Sequence, residues 1–196
     1  MSTVDQAPSA FNSPSRAQRA LWPLYFVRGA FALVWAAAFT ASGDQLTAAT
    51  VTLLIVYPAI DVISSAYDAS THRTTGPATM QWVNAAISTV ALIGLAVASA
   101  QNTASVLRVF GAWATVSGLM QLIVALRRRR QLGTQWASLI SGGLSTVVGI
   151  TFNVMAGSHH AQLSMLSGYA FLGGLFFLVD GFLLRRRHRI HPGQHV

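Results

Sequence analysis

Six apolar runs, separated by short polar breaks, make up most of the chain, at approximately 21–42, 46–67, 81–100, 105–126, 135–156 and 162–184. In a helix, about 22 residues rise roughly 33 Å, against about 30 Å of bilayer hydrocarbon. Each run is therefore near the length a spanning helix needs. The breaks alternate in length and charge. After runs one, three and five they read GDQ, QNTA and GSHHA, without arginine. After runs two, four and six they read DASTHRTTGPATM, RRRRQLGT and RRRHRIHPGQHV, and Arg16 and Arg19 precede run one. Positive charge collects on the cytoplasmic side of membrane proteins, which places both termini there, and Arg108 is the outer exception. The pattern predicts an all-α membrane fold of six transmembrane helices over 21–187, arranged as consecutive hairpins 21–67, 81–126 and 135–184. Residues 1–20, rich in Ser, Ala and Pro, read as a disordered cytoplasmic tail, and 188–196 as a cytoplasmic C-terminal tail. The first apolar run starts too late and runs too long for a signal peptide.

Composition sharpens this picture. Of 196 residues, 53% are apolar and 9% charged, where soluble domains average about 25% charged. The cations are 13 arginines without lysine, and the acids five aspartates without glutamate, a bias that fits a high-GC bacterial genome. The net charge of +8 would suit a nucleic acid, but the arginines sit at the ends of apolar runs, where topology explains them. The expected partner is the lipid bilayer, with room for a second copy or another membrane protein, and no nucleic acid. Without cysteine there is no disulfide, thiol nucleophile or cysteine metal site.

An internal repeat runs through the pattern. Trp22, Trp82 and Trp136 each open an odd-numbered run, where tryptophan serves as an interfacial anchor. Asp61 lies 39 residues after Trp22, Gln121 lies 39 after Trp82, and Asp180 lies 44 after Trp136, the extra length fitting a longer outer loop. Three hairpins of about 60 residues, each with a polar residue at the same place in its second helix, suggest a pseudo-threefold arrangement.

Six helices in three hairpins, glycine-rich odd helices such as SLISGGLSTVVGI and even helices such as GYAFLGGLFFLVDGFLLRRR resemble the HdeD-like acid-resistance membrane proteins. The resemblance covers roughly residues 20 to 187 and is strongest in the third hairpin. It implies a bacterial inner-membrane location and, for some members, a link to acid stress. It carries no catalytic residues onto this chain.

The candidate site is a polar layer of Arg28, Asp61, Gln121 and Asp180. Arg28 lies six residues after Trp22, and Asp61 six before Tyr67, so both sit about 9 Å inside the cytoplasmic ends of their helices. Tyr57, Asp61, Ser64 and Asp68 fall on one helical face, which must look into protein. Two readings compete. The layer is a salt-bridge and hydrogen-bond network that fixes helix packing. Alternatively, it is a proton- or ion-linked site in which Arg28 tunes the two aspartates. One arginine against two aspartates leaves a carboxylate short of a partner, which favours proton uptake there.

The remaining features read as structure. Pro58 frees the carbonyl of Leu54 and predicts a kink. The glycines, from Gly29 and Gly94 through Gly111, Gly118, Gly142, Gly143 and Gly149 to Gly181, predict close helix contact. His159 and His160 occupy an outer loop, where imidazole can sense acid or simply be polar. His188, His191 and His195 have helical metal-ligand spacing, which Pro192 and Gly193 interrupt, so no metal is expected. No HExxH, GxSxG, phosphate loop or paired acid in a cleft is present. Neither an enzyme nor a cofactor is expected. The expected function is a non-enzymatic inner-membrane role of the HdeD-like type in envelope stress or acid tolerance. The alternative is a small proton-linked transporter or channel using Arg28, Asp61 and Asp180.

Overall fold

A computed structural model describes residues 21–71, 78–132, 136–158 and 161–190. They form six α-helices: α1 Leu21–Ser42, α2 Ala48–Thr71, α3 Thr79–Ser99, α4 Thr103–Leu132, α5 Trp136–Met155 and α6 Ser164–Ile190. No strand occurs among the described residues. Five of the helices are long and apolar enough to cross a membrane. The sixth, α5, offers a shorter apolar stretch, Leu139–Met155, which at 1.5 Å per residue rises about 26 Å. The tail at 1–20, the break at 72–77 and the histidines at 159–160, 191 and 195 lie outside the described residues.

Two helix ends differ from the expected boundaries. α4 runs through Arg127–Arg130 to Leu132, and α6 continues past 187 to Ile190. Arginine is a good helix former, so a helix that leaves the apolar zone has no reason to stop at the first charge. The outer turns are closed by local chemistry. Gly43 ends α1 with a left-handed backbone (φ 81°), a conformation glycine adopts without a Cβ penalty. Asn102 caps α4 by accepting the backbone N–H of Ser105 at 2.9 Å.

Consecutive helices adjoin, and the ring closes with α1 against α6. The most extensive contacts, however, lie between the expected hairpins rather than within them: α4 with α5, α1 with α6, and α2 with α3. Glycine explains the first two. A Cβ on Gly149 would meet the Gly111 carbonyl at 2.6 Å, and one on Gly142 the Gly118 carbonyl at 2.9 Å. Gly29 and Gly174 face each other in the same way across α1 and α6. Backbones meet where side chains are missing, and small residues are what membrane helices use to approach closely. Gly143, next to Gly142, faces open space, so these roles do not extend to every glycine.

The core is aromatic. Trp35, Phe39 and Phe110 are fully buried. Tyr57 stands against Trp35 (4.6 Å between centroids) and edge-on to Trp113 (5.8 Å), and Phe110 contacts Trp113 and Tyr169 edge-on. Outward positions are apolar as well: Val34, Val90 and Val154 are each about 70% exposed. A helix that is apolar toward both its neighbours and its surroundings suits a bilayer.

Candidate functional site: a carboxylate shared by three helices

Asp61 sits on α2 one turn after Pro58, with its side chain 14% exposed. A carboxylate enclosed by apolar helices is costly unless donors reach it. Here donors reach both oxygens. The Arg28 guanidinium, on α1, pairs with Oδ1. On α3, Asn84 Nδ2 and Ser88 Oγ donate to Oδ2 at 2.8 and 2.7 Å. Asn84 Nδ2 also reaches Ser65 Oγ at 2.8 Å, and the Trp113 indole N–H of α4 donates to Ser88 Oγ at 3.0 Å. One carboxylate thus ties α1, α2 and α3 directly, and α4 through Ser88.

Local sequence sets this geometry. Asn84 and Ser88 are four residues apart on α3 and share a face. Ser88 and its neighbour Ala85 are buried, which brings α3 close to α2. Arg28 lies beside Gly29, whose missing Cβ brings α6 against α1. The guanidinium is consequently held over the Phe177 ring of α6, at 4.9 Å from its centroid, a cation–π contact that favours the ion in a partly apolar setting. Arg28 remains 26% exposed.

Of the expected layer, Arg28 and Asp61 are brought into direct contact. Gln121 is half-buried on α4 and is not a hydrogen-bond partner of Asp61. Asp180 is half-buried on α6, with an interaction of its own. Trp82 is about half exposed, as an interfacial anchor would be. The side chains of Trp22 and Trp136 lie outside the described residues. Pro58 is buried inside a continuous α2. The Trp35 indole N–H of α1 donates to the Leu53 carbonyl at 2.7 Å, one residue before the carbonyl that the proline leaves without its donor.

Asn84, Ser88 and Trp113 were missed by sequence reasoning. The signal was present for Asn84, a carboxamide well inside an apolar run, where polar side chains bond across helices. For Ser88 and Trp113 there was none, since both residue types recur throughout the chain. Asp44 was also passed over: from the α1–α2 turn it accepts the Ser164 backbone N–H at 2.8 Å and caps α6.

Chemically, the arrangement is an ion pair whose carboxylate also accepts from two neutral donors. Among the described residues no group of three or more histidine and acidic side chains could hold a metal. Two shallow grooves open on the outside of the bundle, one along α4 and α5 by Thr115 and Asn153, the other between α1 and α2 by Ser42 and Thr52. Neither reaches Asp61.

Fold and site together define a polytopic helical bundle of membrane-protein character. Within it, residues 83–154, from α3 to the end of α5, match a family described as a short repeat of unknown function, DUF308. No curated protein and no solved structure matches the chain.

Proposed function

We propose that this is a bacterial inner-membrane protein of the HdeD-like type, with both termini in the cytoplasm. It acts without enzymatic chemistry in envelope stress or acid tolerance. The match of residues 83–154 to the DUF308 repeat, the repeat associated with HdeD-like proteins, supports the family reading. In this proposal the Asp61 cluster is a packing tie and not a transport site. The observation that carries this is the occupancy of both Asp61 oxygens by donors from two neighbouring helices. A carboxylate held by donors from two neighbouring helices fixes how those helices pack. It suits a fixed role better than a cycle of loading and release.

The test of the cellular role is survival. Cells lacking the gene are exposed to an acid shock and compared with cells carrying it on a plasmid. Poorer survival that the plasmid restores is the expected outcome, and identical survival with and without the gene overturns the acid-tolerance role.

A further inference from the structure

The seam between α3 and α4 carries polar groups that the Asp61 cluster does not use. The Trp113–Ser88 hydrogen bond sets the register of these antiparallel helices. Gly94 facing Val109 keeps the same register toward the outer end. One turn from Trp113 toward the arginine-rich end is Ser117, at the level of Asn84. One turn further is Gln121, at the level of Gln81. A polar ladder therefore descends from Asp61 through Asn84 and Ser117 to Gln81 and Gln121. On that ladder Ser117 Oγ and Gln81 Oε1 are both buried and lack a hydrogen-bond partner among the described residues. A third such atom, Ser99 Oγ, lies five turns from Gln81 on the same face of α3, at its outer end.

Two orphaned oxygens on one seam call for a common explanation. A buried acceptor without a donor costs about 1–3 kcal/mol, and a serine in a membrane helix can ordinarily avoid this by bonding its own helix. Thr89, Thr115 and Thr146 do so here, each to the carbonyl four residues earlier. Ser117 does not, although the same escape is open to it. Water satisfies such groups in protein interiors, bridging two to four polar atoms.

We propose that the α3–α4 seam is a hydration site, whose ligand is water, opening from the arginine-rich end of the bundle and reaching the Asp61 cluster. Gln81 and Gln121 form its mouth, and Ser117 and Asn84 its inner end. Asp61 is then in contact with one aqueous side only, since toward the other side Tyr57, Phe110 and Trp113 close the core. This goes beyond the role proposed above and stands whether or not that role is right.

The chain has no cysteine, so single thiols can be placed without background. Ser117→Cys and Gln81→Cys are reconstituted in liposomes and treated with a small, charged, membrane-impermeant methanethiosulfonate from each side. The references are Val116→Cys, which faces outward on the same helix, Ala170→Cys, fully buried in the aromatic core, and Arg130→Cys as a marker of the arginine-rich side. Thiolates form in water and are suppressed in apolar surroundings. Both seam thiols are expected to react roughly ten-fold or more faster than Val116→Cys and Ala170→Cys, and only from the side that labels Arg130→Cys. Reaction at the rate of Ala170→Cys, or from the opposite side, overturns the proposal. Ser117→Ala provides a second reading. If water serves the hydroxyl, the thermal midpoint falls by about 2–4 °C, whereas an unserved hydroxyl would leave it unchanged or raised.

Discussion

Removing Arg28 and Asp61 together should cost less than the two single removals combined, because each single deletion strands the other charge. Breaking a buried pair costs about 3–5 kcal/mol. Arg28 keeps some exposure and a cation–π contact with Phe177, so the lower end of that range applies. Asp61→Ala also removes the acceptor of Asn84 and Ser88, and interhelical hydrogen bonds in membrane proteins average about 0.6 kcal/mol each. The expected loss is about 4 kcal/mol. Arg28→Ala leaves Asp61 with two neutral donors, and its loss is expected at about 2–3 kcal/mol. The double mutant has no stranded charge and should lose about 4 kcal/mol, some 2–3 kcal/mol less than the single losses combined. For a chain of this size 1 kcal/mol moves the midpoint by about 2–4 °C, so the non-additivity is readable in a thermal-shift series in detergent. Losses that simply add would refute the coupling, and the swap Arg28→Asp with Asp61→Arg should recover part of the stability.

Gly142→Ala should destabilise the α4–α5 contact by about 1–3 kcal/mol, since its Cβ falls within 3 Å of the α4 backbone. Gly143→Ala, facing open space, should be neutral or slightly stabilising in the same melt. Ser88→Ala leaves the Trp113 N–H unpaired and should lower stability by about 1–3 kcal/mol while shifting tryptophan emission. Reporter fusions at His72 and Arg130 should report cytoplasm and one at His160 the outside; a periplasmic signal at Arg130 removes the proposed topology.

The helices were legible because a 20-residue apolar run leaves few alternatives in the hydrocarbon. Arg28 and Asp61 were legible as a pair for the same reason: two opposite charges in adjacent apolar runs have little else to meet. Their further partners were not, because serine and tryptophan are too frequent here to single out Ser88 and Trp113. The packing of the hairpins was also hidden. A short turn made α1 and α2 the natural partners, but Gly29 against Gly174 brings α1 closest to α6. Which glycines face which depends on helix rotation, and helices that are apolar on every side give no periodicity from which to read rotation. Gln121 and Asp180 match Asp61 in spacing, yet at the places in α5 that match Asn84 and Ser88, the donors Asp61 meets on α3, stand Ser138 and Gly142, so the carboxamide and one of the hydroxyl positions are not repeated.

The reading of Asp61 as a tie meets its most direct test in liposomes loaded with a pH-sensitive dye. Purified protein is reconstituted, a pH step is imposed outside, and the internal pH is followed for the wild type, Asp61→Asn and protein-free vesicles. The account predicts that wild-type and Asp61→Asn vesicles equilibrate at the rate of protein-free ones. Faster equilibration with the wild type, lost in a folded Asp61→Asn, would contradict it and make the cluster a proton site.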